Sequence, residues 1–255
     1  MRIFRLCFAI ALAFSLVLSS LTENALANDI PWTYQAETGP AHWAELDETF
    51  ALCQSGKHQS PTNLTAAASA DLANPNFHYE PVPLNLLNNG HTVQVPYAPG
   101  SYVELDGDRY NLLQFHLHSP SEHTIDNQSS AAELHLVHQN DAGDLAVVSV
   151  LLQKSTTSNN AYNNISNNLP AKAGDKVRTE TTINAQDLLP TTTTTYRYTG
   201  SLTTPPCSEA VTWLVMTEPV VLSADHIARY EQLLNNNNRP LQPLNERTVQ
   251  MDISP

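Results

Sequence analysis

Two short runs carry histidines at spacings that suit a metal: Gln114-Phe115-His116-Leu117-His118 and, seventeen residues further, His135 within "AAELHLVH". On a strand, residues two apart share a face and lie roughly 6.5 to 7 Å apart. His116 and His118 therefore point one way with Gln114 beside them, while Phe115 and Leu117 face the other side. The same parity groups Glu133, His135 and Val137 against Leu134 and Leu136. If the two strands are neighbours, three imidazoles converge. Three neutral ring nitrogens at about 2.0–2.1 Å leave a tetrahedral zinc ion with one open position, the catalytic rather than the structural arrangement. Metal-bound histidines also need a second acceptor to fix tautomer and orientation, and Gln114 and Glu133 lie on the correct face to supply it. A bare His-x-His pair equally describes exposed histidines. The third histidine and two polar neighbours in otherwise apolar strands weigh against that alternative.

The elements that must position these residues are strands. Short alternating runs separated by turn residues span His91–Pro96, Tyr102–Leu105, Asn111–His118, Ala132–Gln139, Leu145–Leu152 and Ala210–Thr217, a pattern that predicts one strand-dominated domain over 28–255. One helix is predicted in "SADHIARYEQLL", with Ser223 as N-cap and Ile227, Tyr230, Leu233 and Leu234 at helical spacing. The Pro-, Gly- and Trp-rich stretch from Asn28 to about Leu64 is expected to lie over the domain as an irregular arm. The tracts Thr191–Thr195 and Asn235–Asn238 are expected to be exposed loops.

At 255 residues, with 41% hydrophobic and 15% charged residues, the chain is long enough for a substantial core and has the composition of a folded protein. Arg2 and Arg5, the apolar run Leu6–Leu18 and the small residues Ala25 and Ala27 predict a signal peptide over 1–27. The apolar run is shorter than the ~20 residues of a spanning helix, so no stable membrane anchor is expected. An exported protein, periplasmic or secreted, follows from that reading. In such a compartment Cys53 and Cys207, the pair left in the mature chain, are expected to form a disulfide, with two buried thiols as the alternative. No second cysteine stands at CxxC spacing, which argues against a zinc-thiolate site. The net charge of −13 makes nucleic acid an improbable partner.

Several motifs are together more specific. "HQSPTNL" (His58–Leu64), "LNNGH" (Leu87–His91), "QFHLH", "SEHTID" (Ser121–Asp126), "AAELHLVH" and "YTGSLTTPPCSEAVTW" (Tyr198–Trp213) occur in the order of the alpha-class carbonic anhydrases. The chain resembles that family over nearly its whole mature length, and most resembles its exported bacterial branch. The resemblance implies a mainly β domain: a central, twisted, mostly antiparallel ten-stranded sheet with a few short peripheral helices. It implies a zinc enzyme that interconverts carbon dioxide and bicarbonate through zinc-bound hydroxide, with an esterase side activity and inhibition by sulfonamides and anions. His116, His118 and His135 match the zinc ligands, and Gln114 and Glu133 their supporting acceptors. Thr203 matches the hydroxyl that orients the nucleophile by donating its own proton to Glu122. His91 matches the proton shuttle, mobile and wet in its turn, with Tyr34, Asn89, Gln94 and Thr204 along the water network. Val137, Val147, Leu202, Val211 and Trp213 match the apolar wall that receives carbon dioxide, with Thr203 and Thr204 beside it. Leu117, Ser119 and Gln94 depart from residues common in animal members, without removing a mechanistic group. A monomer or homodimer is expected. A non-catalytic binding module on the same fold would have lost zinc histidines, and all three are present. The remaining histidines have plainer expectations: His123 is buried and hydrogen-bonded, while His42, His58, His78, His138 and His226 are structural or exposed.

Overall fold

Alternation of apolar and polar residues builds a large sheet, seen in a computed structural model that describes residues 31–65, 67–157 and 159–253. The signal-like segment 1–27 lies outside the described residues. In chain order the strands are β1 (Ala68–Ala70), β2 (Asn76–His78), β3 (Val82–Asn88), β4 (Val93–Pro96), β5 (Tyr102–Leu105), β6 (Asp108–His118), β7 (Thr124–Ile125) and β8 (Gln128–Ser129). They continue as β9 (Ala132–Gln139), β10 (Leu145–Ser155), β11 (Lys176–Ile183), β12 (Thr195–Ser201), β13 (Glu209–Met216), β14 (Val220–Ser223) and β15 (Gln250–Asp252). Ten of these form one hydrogen-bonded path, β1-β15-β12-β13-β10-β9-β6-β4-β3-β11, and β14, β2 and β5 extend the sheet to thirteen strands. Most pairings are antiparallel; β10 runs parallel to β13 and β14, as does β1 to β15. The expected ten-stranded sheet is thus the central path of a slightly larger one.

Strand β10 explains how the sheet carries two cores. Ala146, Val148, Val150 and Leu152 enter the main cluster with Phe115, Leu117, Leu134 and Leu136, covered by Tyr162, Ile165, Ile227 and Tyr230. Val147 and Leu151, one residue out of phase, join Tyr198, Val211, Trp213 and Val215 on the opposite face. A strand buried on both faces loses its alternation and becomes a continuous apolar run, as Leu145–Leu152 does. Fully burying Phe115 or Leu134 stabilises the fold by roughly 1.5–3 kcal/mol each.

The helices are short: α1 (Trp43–Leu46), α2 (Leu52–Ser55), α3 (Asn160–Asn167) and α4 (Ala224–Leu234). The last coincides with the predicted helix, and Ser223 holds its N-cap position. Its hydroxyl bonds His226 Nδ1 at 2.9 Å instead of a backbone amide. Helices α1 and α2 interrupt the N-terminal arm, whose Trp32, Tyr34 and Phe50 pack with Trp43 and the Cys53–Cys207 disulfide as a third apolar cluster. That bond closes a separation of 154 residues, for which the chain-entropy model gives about 5 kcal/mol.

Two expectations about surface residues are corrected. Asn237, in the supposedly exposed asparagine tract, is 1% exposed, because every polar atom of its side chain is hydrogen-bonded. The Thr191–Thr195 tract likewise ends inside β12, with Thr195 buried.

His138 has a fully buried side chain in the main core, and its Nε2 lies 2.8 Å from Tyr79 Oη. Burial pushes its pKa down to about 4, so the folded protein keeps it neutral while the unfolded chain takes up a proton near 6.5. Stability contributed by the neutral form is present above about pH 6.5 and is lost as pH falls toward 4, a loss on the order of 3 kcal/mol. Urea unfolding of wild type and His138→Gln at pH 7.5 and 4.5 is expected to show the larger acid loss in wild type. Equal losses would reject this account.

Candidate active site

The register of three strands assembles the site. In the β6–β9 pair His116 stands opposite His135, and His118 opposite Glu133. Gln94 of β4 pairs with His116 on one side, and Ser149 of β10 with His135 on the other. A bulge makes this register possible. Leu112 faces His138 while Gln114 faces Val137, leaving Leu113 as the extra residue, 42% exposed. Strict alternation would put Leu112 on the histidine face; the bulge sends Leu112 to the core and keeps Gln114, His116 and His118 together.

The predicted convergence occurs. Ring centroids of the three histidines are 4.6–5.3 Å apart, and one nitrogen from each lies within 4.8 Å of the others. Their far nitrogens fix the tautomers. His118 Nδ1 is 2.6 Å from the Asn237 carbonyl, an acceptor only, so this nitrogen donates and Nε2 carries a lone pair. His135 Nε2 donates to Glu133 Oε1 at 2.8 Å, which frees Nδ1. His116 Nδ1 donates to Gln114 Oε1 at 2.9 Å, which frees Nε2. Burial lowers the pKa of all three, and for His116 the neighbouring His118 and His135 lower it further. The site therefore presents three neutral donors, and His118 Nε2, though buried, has no hydrogen-bond partner among the described residues. Buried polar atoms are normally paired; a lone pair left open beside two others fits a zinc ion with three protein ligands.

Glu133 holds more than the His135 ring. Besides His135 it accepts from the backbone N–H of Glu122 and His123, from His123 Nδ1 at 2.7 Å and from Ser149 Oγ at 2.5 Å. Burial alone would raise its pKa, but His123 and His135 hold it well below the carboxylate range. His123 Nε2 in turn accepts from Tyr198 Oη at 2.6 Å, and Tyr198 pairs with Ser60 at 2.9 Å. His123, as expected, is buried and hydrogen-bonded.

Glu122 lies on the other side of the ligands. Its Oε1 accepts from the Arg239 backbone N–H at 2.8 Å, and Oε2 faces His118 Nε2 at 3.6 Å and His135 Nδ1 at 4.0 Å. Burial raises its pKa to about 7, against the opposing influence of His135, the Arg239 N–H and the Thr203 hydroxyl. Thr203 and Glu122 are thus brought together. Thr203 sits in the β12–β13 loop, which is braced by Leu202 N–H to Ser208 O, Cys207 N–H to Thr204 O and the disulfide. The guanidinium of Arg239, buried, bonds Gln59 Oε1 and the carbonyls of Ser60 and Cys53.

Next to the histidines the register continues into apolar residues: Val137 pairs with Val147, and Val147 with Trp213. Val211 and Trp213 are buried in the second core, with Leu202 and Val137 half-buried at its margin. Thr204 is also half-buried. His91 occupies the β3–β4 turn, where Gly90 takes φ +91°, a conformation costly for residues with a Cβ. The Asn89 Oδ1 accepts from the His91 and Thr92 N–H groups. The His91 ring is stacked on Trp32, 3.7 Å between centroids and 5° between planes, so it is held rather than loose. Tyr34 stands edge-on to Trp32, and burial keeps its phenol protonated. A cavity of about 540 Å³ lies beside His91, lined by Tyr34, Gly90, Asn235 and Asn237 among others and not by the three histidines.

Asn237, Ser149 and Arg239 were not anticipated as site residues. Asn237 stands 119 positions from the histidine it supports, within a polar tract that gives no local signal.

The comparisons agree with this geometry. A model of the eukaryotic-type carbonic anhydrase family matches residues 38–253. A carbonic anhydrase of Nostoc sp. is 44% identical over 237 residues, covering 91% of this chain and 89% of that protein. Among solved structures, a hyperthermostable carbonic anhydrase from an active hydrothermal vent chimney superposes with a TM-score of 0.84 at 43% identity, over 87% of this chain and 100% of that one. The alpha-carbonic anhydrase of Thermovibrio ammonificans, solved with the inhibitor sulfanilamide, also gives 0.84, at 38% identity and over 87% and 99% of the two chains. With its three converging histidines set in that sheet and the match running nearly from end to end, the chain belongs to the alpha, or eukaryotic-type, carbonic anhydrases.

Proposed function

We propose that this carbonic anhydrase hydrates carbon dioxide reversibly at a zinc ion held by His116 Nε2, His118 Nε2 and His135 Nδ1. The observation that carries the reading is the convergence of three neutral ring nitrogens, each with its opposite nitrogen committed to an acceptor. Zinc so held supplies a Lewis acid that acidifies water at neutral pH, a chemistry for which carbonic anhydrases are themselves the general example. The chain's residues do the rest. Thr203, with its proton committed to Glu122, offers only its oxygen as an acceptor, which turns the O–H of an attacking oxygen toward Thr203 and its lone pair toward substrate. Val137, Val147, Leu202, Val211 and Trp213 receive an uncharged substrate and keep competing water away, with Thr204 at the edge. His91 carries the released proton to solvent, with Tyr34, Asn89 and Gln94 ordering the water between. An activated ester presents a carbonyl to the same nucleophile, so esterase activity accompanies hydration. A sulfonamide would inhibit by competing with the attacking oxygen at the site of His116, His118 and His135.

The segment over 1–27 and the disulfide support export to the periplasm or beyond. Among the described residues no helix is long and apolar enough to cross a membrane.

The test is stopped-flow hydration on protein of measured zinc content, with and without a sulfonamide. Hydration at about one zinc per chain, lost to the inhibitor, is expected; zinc-loaded protein without hydration overturns the reading. In the same assay His91→Ala is expected to lower kcat by at least about 10-fold, given the 10²–10⁴-fold range for proton-transfer catalysis, and imidazole buffers to restore part of it. An unchanged kcat would assign proton transfer to another route.

A further inference from the structure

Asn237 touches both halves of the site. Its backbone carbonyl accepts from His118 Nδ1 at 2.6 Å. Its side chain has separate partners: Nδ2 donates to the His91 carbonyl and to the Leu117 carbonyl, each at 3.0 Å, and Oδ1 accepts from the Ser119 N–H at 2.9 Å. A buried carboxamide thus joins the backbone of the turn bearing His91 to the strand that bears His116 and His118.

The turn meets the metal strand again past His91, where Thr92 Oγ1 donates to the Leu117 carbonyl at 2.5 Å and accepts from the Leu117 N–H at 3.3 Å, and where β4 pairs with β6; Asn237 ties His91 itself. Asn89 braces the turn from within. The ring itself lies on Trp32, a residue of the N-terminal arm. Proton transfer through ordered water depends steeply on the placing of donor and acceptor; displacement by about 1 Å can cost up to 100-fold. A short amide bridge of fixed length is a means of setting that placing.

We infer that the Asn237 side chain is a positioning residue for proton transfer, holding the His91 turn in register with the zinc-ligand strand, while its backbone carbonyl separately orients His118. The inference rests on His91 as the proton carrier. Removing the carboxamide leaves the backbone carbonyl in place, so the two roles separate experimentally.

Asn237→Ala and the near-isosteric Asn237→Asp are compared with His91→Ala and wild type for zinc content, kcat/KM and kcat. Steps up to bicarbonate release enter kcat/KM, whereas return of the proton to solvent limits kcat. In the Asn237 variants we expect zinc content and kcat/KM near wild type, kcat lower by roughly 10-fold, within the range for a misplaced group, and partial restoration by imidazole. In a His91→Ala background Asn237→Ala should lower kcat no further. A second readout needs no activity: in the zinc-free protein the His91 ring protons, stacked on Trp32, carry an upfield ring-current shift in NMR spectra. That shift should shrink in the Asn237 variants.

Loss of zinc together with an equal fall in kcat and kcat/KM would show that Asn237 serves the metal ligand alone, and would overturn the inference. So would an unmoved kcat and ring-current shift while His91→Ala is slow. A wild-type kcat in His91→Ala would instead overturn the shuttle reading and this inference with it.

Discussion

His116→Ala is expected to lose zinc and carbon dioxide hydration together. Deleting even a supporting partner of a metal-bound histidine typically costs about 10- to 100-fold in metal affinity or activity; deleting a ligand removes a coordinate bond and leaves His118 and His135 as an incomplete pair. The measurement is metal content after dialysis against a chelator, with hydration on the same sample and circular dichroism to show that the sheet persists. His116 is half-buried and not part of the main core, so the fold should survive the truncation. Gln114→Ala provides the graded control: His116 loses the acceptor at 2.9 Å that sets its tautomer but keeps its free nitrogen. Zinc should then bind roughly 10- to 100-fold more weakly without disappearing. A zinc-replete His116→Ala protein with wild-type hydration would reject the ligand assignment.

Thr203→Ala is expected to keep zinc yet lower kcat/KM by roughly 10- to 150-fold, the equivalent of about 1.5–3 kcal/mol for a hydrogen bond involving a charged partner. The loss belongs to orientation: without the hydroxyl, the attacking oxygen has no fixed acceptor and the Glu122 carboxyl loses the Thr203 hydroxyl that acts on it. Thr203→Ser keeps the hydroxyl and should keep most of the rate. Glu122→Gln still accepts the Arg239 N–H at Oε1, but an amide in place of Oε2 can donate to Thr203 and reverse the relay. It should therefore resemble the alanine variant of Thr203. Serine and alanine behaving alike would remove the hydroxyl from the mechanism.

What could be read from the sequence follows from local rules. The period of a strand fixes which neighbours share a face, so His116, His118 and Gln114 were grouped correctly, as were Glu133, His135 and Val137. Strands β5 and β9 begin and end where alternation placed them, and α4 starts at the residue after its predicted cap. Strands β3 and β11 were less visible: Pro83 interrupts the first, and the second is an edge strand whose "KVRTETTI" is mostly half-exposed or exposed. His138 shows the limit of reading one residue at a time. As a residue type it passes for structural or exposed; strand parity sets it on the face of Leu134 and Leu136, and pairing with β6 and β10 covers that face and puts it in the main core beside Tyr79.

The sequence by itself determined the three donors, the side of their strands on which they stand, the cysteine pair and the family whose motifs they share. Tertiary structure alone decided that β6 and β9 are neighbours in the register that sets His116 against His135, that a bulge at Leu113 turns Leu112 into the core, and that Asn237 arrives from the far end of the chain to orient His118 and hold the His91 turn. Side-chain parity is a property of a few consecutive peptide units and is written locally. Strand neighbours, bulges and hydrogen-bond acceptors more than a hundred residues away are selected by burial and backbone pairing over the whole sheet, and no short stretch of sequence contains them.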